Sequence, residues 1–303
     1  MAISIAIITA AFVVNKPGDH NTDKGHPIKD VPEYNGDYVS VSSYKENGDP
    51  LFDTSKIKVD NNSKASLKIV LENGIDYSRD YKVIVLQNFV QTDFYVDNEK
   101  SKDKTYLFNV EARKEISLSI SADINEDTKE LAILIIKEPD DIVTELDFNK
   151  LEYYEEVYAK RFLVDNKAVI PKHIYIKPDF KYKSEVDDTP IFLSNVKDTR
   201  TVVPSVEEGS KAYLHMGNPL LNTEIIYAVI AMQDWNQVSI NEDLVMYTNV
   251  PSDKTIGYEV NLPFTGSQKT NLQFVAFPYP YDKWSEQYFK QVEYTFRTVI
   301  IPK

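Results

Sequence analysis

The chain has 303 residues, is 42% hydrophobic and carries a formal net charge of −13 from 47 acidic against 34 basic side chains. That length suits two domains and the hydrophobic content excludes global disorder, while the acidity sets long-range electrostatics against nucleic acid and anionic membranes. Cysteine is absent, which excludes disulfides, thiolate catalysis and cysteine-ligated zinc.

The first fourteen residues, "MAISIAIITAAFVV", are almost wholly apolar. They fall short of the ~20 residues that span a bilayer and match the h-region of an export signal, although the usual positively charged flank is missing. Residues 1–14 are therefore expected to be a signal peptide or anchor, with a first strand as the alternative reading. Residues 15–35, rich in Gly, Pro, Asp and Asn, read as a flexible tether that carries His20 and His26. Membrane contact is expected only through this N-terminal segment, and an extracytoplasmic location follows from it.

Residues 36–140 read as seven short strands: "YVSVSSY", "ASLKIVL", "YKVIVLQNF", "DFYV", "TYLFNVEA", "ISLSISA" and "LAILIIK". Turn clusters separate them, and β-branched and aromatic residues fill them, as a β-sandwich requires. Asp76 and Asp80 lie in one turn cluster; Asp123, Asn125 and Asp127 alternate in another, "DINED". Alternating hard-oxygen ligands suit calcium, although the glycine and the distal bidentate Glu of an EF-hand are missing. If the two loops were neighbours, the five residues would form a calcium site, the only cofactor the sequence suggests.

Residues 141–167 are expected to form a helical connector. "DFNKLEYYEEVYAKRF" spaces Leu151, Tyr154, Tyr158 and Phe162 along one helical face, with glutamates early and Lys160 and Arg161 late, as a helix dipole favours.

Residues 168–303 repeat the strand pattern through "HIYIK", "KAYLHM", "IIYAVIAM", "LVMY", "IGYEVNL", "NLQFVAF" and "YTFRTVII". Four matches in the same order point to duplication. "YKVIVLQNF" (81–89) matches "YAVIAMQDW" (227–235), "SKASLKI" (63–69) matches "SKAYLHM" (210–216), "DKTYLFNV" (103–110) matches "DKTIGYEV" (253–260), and "LAILIIKEP" (131–139) resembles "FRTVIIPK" (296–303). The copies differ most at "PYPYDKWSEQYFKQVEY" (278–294). There Tyr279, Tyr281, Trp284, Tyr288 and Phe289, together with Trp235, are candidates for a partner or glycan surface.

The strand spacing resembles tandem immunoglobulin-like or fibronectin-type-III-like modules of bacterial cell-envelope proteins. That resemblance implies an all-β fold of two tandem Ig-like β-sandwich domains joined by a short helical connector, and it covers nearly all of residues 36–303. It rests on strand spacing, without the Cys–Trp–Cys signature of antibody domains. Motifs of the zincin, nucleophile-elbow, phosphate-loop and dinucleotide-binding kinds are absent. Two formal S-x-x-K matches, "SKIK" (55–58) and "SKDK" (101–104), lie in polar turns. The expected function is an exported, non-enzymatic binding protein whose partner is a protein or glycan at the cell surface. The alternatives are a carbohydrate-binding or glycan-active protein using the 278–294 loop, and a structural subunit of an extracellular assembly or virion.

Overall fold

The computed structural model describes residues 37–145, 157–184, 190–197, 203–219, 222–263, 266–282 and 291–303. The first half contributes β1 (Tyr38–Tyr44), β2 (Lys56–Ile57), β3 (Lys64–Gly74), β4 (Arg79–Gln87), β5 (Val90–Gln91), β6 (Tyr95–Val96), β7 (Glu99–Lys100), β8 (Thr105–Val110), β9 (Lys114–Asp123), β10 (Glu130–Lys137) and β11 (Val157–Val164). The second half contributes β12 (Phe180–Lys183), β13 (Ile191–Ser194), β14 (Ser205–Glu207), β15 (Ala212–Asn218), β16 (Ile225–Gln233), β17 (Asn236–Val238), β18 (Met246–Val250), β19 (Lys254–Val260), β20 (Thr270–Pro278), β21 (Glu293–Tyr294) and β22 (Thr298–Ile301).

These strands make four sheets. The first outer sheet runs β1-β3-β9-β6-β7, and the first inner sheet runs β2-β11-β10-β4-β5 with β8 also on β4. The second inner sheet runs β14-β22-β20-β16-β17, with β18 on β16 and β21 on β20; the second outer sheet runs β12-β19-β15-β13. The inner sheets thus follow the same order, down to a short parallel strand at one edge: β2 on β11 in one and β14 on β22 in the other.

Alternation builds each outer sheet. In β3, Ala65, Leu67, Ile69 and Leu71 enter the first core, while the residues between them face outward. In β15, Ala212, Leu214 and Met216 do the same for the second core. The inner sheets follow a different rule. Strand β10 is buried at every position, and so is β20. One face of β10 supplies Leu131, Ile133 and Ile135 to the first core; the other turns Ala132, Leu134 and Ile136 toward the second half. There they meet Ala228, Ile230 and Met232 of β16 and Val275 and Phe277 of β20. The layers therefore stack outer, inner, inner, outer, with three apolar seams, and residues 37–303 form one compact unit.

Each strand expected in residues 36–140 is present. The helical connector is corrected: Val157–Val164 is a strand, pairing antiparallel with β10 from Leu163↔Glu130 to Val157↔Ile136. Tyr158 and Phe162 are four residues apart, an even number, so a strand puts them on one face as readily as a helix does. Both rings pack on the first core. The backbone groups along the open edge of β10 needed partners, and that requirement overrode the local pattern. Residues 146–156, which carry Leu151 and Tyr154, lie outside the described residues, and among the described residues there is no helix.

Two of the four sequence matches join strands that do not correspond. "DKTYLFNV" contains β8 of an inner sheet, whereas "DKTIGYEV" contains β19 of an outer sheet. "LAILIIKEP" contains β10, whose structural counterpart is β20 rather than the C-terminal strand β22. The true counterpart of β11 is β21 with β22, interrupted at 295–297. By register the ends of the 278–294 segment match residues 137 and 159, which overlaps the 141–167 stretch expected as a helical connector.

Candidate functional site

The most elaborate polar chemistry in the chain lies where the two inner sheets meet, and it begins at two tight turns. Gln87 pairs with Val90 across Asn88 and Phe89, and Gln233 pairs with Asn236 across Asp234 and Trp235. All four turn residues have positive φ: 47° and 66° in the first turn, 44° and 67° in the second. This is the type I′ hairpin, whose second position normally holds glycine, so an aromatic residue there is strained by about 1–3 kcal/mol.

The first turn residue is fixed by its acceptor. Asn88 Oδ1 takes the N–H groups of Lys129 (2.8 Å) and Glu130 (3.2 Å), and Asp234 Oδ1 takes that of Asn271 (2.8 Å). The second is held by burial. Phe89 is fully buried, its ring 4.9 Å from that of Phe277 and 5.3 Å from that of Tyr281. Trp235 is 2% exposed and donates its indole N–H to Pro139 O at 2.6 Å. Strain at each turn is thus offset by an aromatic anchor set into the opposite half.

Two residues beyond each turn stand Gln91 and Gln237, which exchange matching hydrogen bonds. Gln91 N–H donates to Gln237 Oε1 and Gln237 N–H to Gln91 Oε1, both at 2.7 Å. Gln91 Nε2 donates to Trp235 O (3.0 Å), and Gln237 Nε2 to Phe89 O (2.9 Å). A relation in which residue i meets j while j meets i is the signature of a two-fold interface.

A pair of arginines repeats that symmetry. Arg161, 2% exposed, donates to Pro278 O (2.7 Å), Gln291 O (3.2 Å) and Tyr279 O (3.4 Å). Arg297 donates to the counterparts of two of these carbonyls, Lys137 O and Glu138 O, the latter at 2.5 Å. Each guanidinium also lies against an aromatic face: Arg161 is 5.8 Å from the Phe89 ring and Arg297 4.8 Å from the Trp235 ring. Glu130 departs from the symmetry. Glu130, 2% exposed, accepts from Arg161 Nε (2.6 Å) and from the Tyr281 N–H (2.7 Å), whereas Asn271 holds the matching place in β20.

Three of the six residues singled out as a partner surface are among the described residues. Tyr281 and Trp235 are both buried between the halves. The Tyr281 hydroxyl meets that of Tyr247 at 2.8 Å, and burial raises its pKa. Tyr279 is half-buried, with its hydroxyl 3.4 Å from Glu224 O. Trp284, Tyr288 and Phe289 lie outside the described residues.

The five calcium candidates are not brought together. The β3–β9 register pairs Lys64 with Asp123 at one end and Asn73 with Lys114 at the other. Asp76 and Asp80 therefore lie at the opposite end of the strands from Asp123, Asn125 and Asp127, roughly 20–30 Å away at ~3.3 Å per residue. The 123–129 loop faces the Asn88 turn instead: Gln87 Nε2 donates to Asp123 O (2.8 Å), Asn125 N–H to Gln87 Oε1 (3.0 Å), and Asn88 Nδ2 to Asp127 O (3.0 Å). Asp76 pairs with Arg113 at 2.7 Å, which lowers its pKa, and Asp80 accepts from Asn109 at 2.7 Å. Among the described residues no three His, Asp or Glu side chains converge as a metal site.

The two described histidines both pack against aromatic rings. His215 is fully buried in the second outer sheet, stacked 4.3 Å from Phe192, with Tyr182 Oη 3.1 Å from Nδ1. His173 stacks on Tyr247 at 3.9 Å and Tyr281 at 5.1 Å, and desolvation lowers its pKa. His20 and His26 lie outside the described residues. A cleft of about 440 Å³ beside β11 is lined by Val41, Val157–Lys160, Gln291–Tyr294 and Phe296, without Ser, Cys or His.

Sequence reasoning passed over Gln91, Gln237, Glu130, Arg161 and Arg297. The signal was present, since extending the strongest match by two residues gives "QNFVQ" and "QDWNQ". The unbroken apolar runs of β10 and β16 also reported strands buried on both faces.

Comparison with known proteins finds no family and no curated relative that matches the sequence. Among solved structures, similar chains include the E. coli chaperone DraB, at 13% identity over 79% of this chain and 92% of that one, with a TM-score of 0.27. A Salmonella enterica structure of the SafA pilin with the SafB chaperone gives 14% over 80% and 90%, with a TM-score of 0.26. The CARDB domain of a Pyrococcus furiosus protein gives 13% over 44% and 97%, with a TM-score of 0.24. At these scores the likeness carries no argument about function. The β-sandwich assignment rests on the sheets themselves.

Proposed function

We propose that the chain is an extracytoplasmic, non-enzymatic interaction protein, built by duplication of one sandwich module and closed on itself as an internal pseudo-dimer. The matched Gln91/Gln237 and Arg161/Arg297 contacts carry this reading, because both halves devote equivalent residues to the same join. Such a join holds the two outer sheets in a fixed relation on opposite sides of the molecule, which suits presentation of surfaces to partners. The buried polar groups at the seam hold backbone carbonyls and each other, a structural use of chemistry that an enzyme would aim into a cleft. The apolar residues 1–14 and the polar stretch after them support export.

The test is made on intact cells expressing the native chain. Added protease is expected to digest it without permeabilisation, and an amine-reactive crosslinker to join it to a discrete second protein. Full protection inside the cytoplasm, or turnover of glycosidic substrates by the purified chain, would overturn the proposal.

A further inference from the structure

Between β11 and β12 the chain crosses from the first half to the second along residues 165–179, and this strap has an unusual surface. Val169 and Ile174 are 85% and 87% exposed, and Ile170 and Tyr175 are also open to solvent. These four are drawn from only eleven large apolar side chains that stand exposed among the described residues, so apolar exposure is concentrated here. Its ends are nevertheless pinned. Asn166 Nδ2 donates to Thr128 O (2.7 Å), Ile176 N–H donates to Tyr247 O (2.9 Å), and the Ile176 side chain packs on the second core. Between those points the His173 ring is stacked on Tyr247 and Tyr281.

The charge of the strap is opposite to that of the chain. Lys167, Lys172, Lys177, Lys181 and Lys183 fall within seventeen residues that hold one carboxylate, Asp179, in a chain of net charge −13. All five lysines are exposed, and none forms an ion pair among the described residues. The backbone is equally open: from Val169 to Tyr175 no N–H donates to another described residue, although Tyr175 makes a single parallel bridge to Tyr247 beside β18. Exposed apolar side chains, lysines without ion pairs and backbone donors without partners among the described residues are what an added acidic strand would satisfy together. A membrane surface would satisfy the lysines and the apolar groups but leave the backbone donors without partners.

We infer that the 167–177 strap docks an extended acidic segment of a partner protein, one that alternates carboxylates with apolar side chains. This rests on the reading of the chain as an interaction protein and names the chemistry of its partner. The test uses the full chain and a fluorescent synthetic peptide alternating glutamate with valine and isoleucine, with a lysine-for-glutamate peptide as control. The acidic peptide is expected to bind at least tenfold more tightly than the control, and to weaken severalfold as salt rises from about 0.05 to about 0.5 M. Ile174→Asp, and separately the pair Lys172→Glu and Lys177→Glu, should each weaken it at least tenfold with an unchanged melting temperature.

Equal binding of the two peptides, or binding that survives these substitutions, overturns the inference. So does strap-dependent sedimentation with phosphatidylserine vesicles, or self-association that Ile174→Asp abolishes, because each names a different occupant. A chain that is digested and crosslinked at the cell surface yet ignores the acidic peptide would sink the strap inference alone.

Discussion

Replacing Arg161 with Met asks how much of the join depends on one buried charge. The guanidinium contacts the Glu130 carboxylate and donates to the Pro278, Gln291 and Tyr279 carbonyls of the other half. Methionine keeps much of the apolar bulk, so packing on Phe89 and Phe277 changes little. What is lost is the charge, and Glu130 is left 2% exposed with the Tyr281 N–H as its remaining hydrogen-bond donor. Breaking a buried ion pair from one side costs about 3–5 kcal/mol, mostly the penalty on the stranded partner. For a unit of this size that is a fall in Tm of roughly 6–20 °C. Adding Glu130→Gln removes the stranded charge and should return about 1–3 kcal/mol, since glutamine can still accept from Tyr281 N–H. Urea titration followed by tryptophan fluorescence measures both, because Trp235 lies in the same seam. A loss below about 1 kcal/mol for Arg161→Met, or a further loss on adding Glu130→Gln, would refute the reasoning.

Arg297→Met should cost about 1–3 kcal/mol, because Asn271 stands where Glu130 stands in the other half and the bonds removed are those to the Lys137 and Glu138 carbonyls. Gln91→Ala and Gln237→Ala should be coupled by about 0.5–3 kcal/mol in a double-mutant cycle, since each amide serves the other's backbone; strict additivity would contradict the reciprocal bonds. Phe89→Gly relieves the positive φ but removes the anchor, so a net loss of about 2–4 kcal/mol is expected, and a gain in stability would show that strain outweighs packing. His173 is held neutral by burial, with its pKa below the ordinary 6.5. Its contribution is therefore intact above pH 6.5 and declines as pH falls below 6.5 toward the folded-state value, because the unfolded chain takes up the proton first. His173→Phe should flatten the dependence of Tm on pH between 7.5 and 5.5, and an unchanged slope would assign it to other groups.

The sequence by itself determined the fold class and most strands of each half, because alternating burial and turn residues act locally. Ala65, Leu67, Ile69 and Leu71 announce an inward face wherever their partner strand comes from. The likeness of "YKVIVLQNF" and "YAVIAMQDW" was equally visible, although two of the flanking matches aligned strands that do not correspond. Local pattern was insufficient at residues 157–164, where spacings of four fit helix and strand alike and the open edge of β10 settled the matter.

Only the tertiary structure decided what the matching residues of the two halves contact. Phe89 and Trp235 look like strand-end aromatics in isolation, and Arg161 like the last turn of a helix. Their roles depend on carbonyls and rings 96 or more residues away, brought within reach by the packing of two inner sheets. The same long-range packing separates Asp76 from Asp123, which a shared calcium site would need as neighbours, and leaves the lysine-bearing strap exposed. Side-chain period encodes which face is buried; it carries no information about what lies against that face.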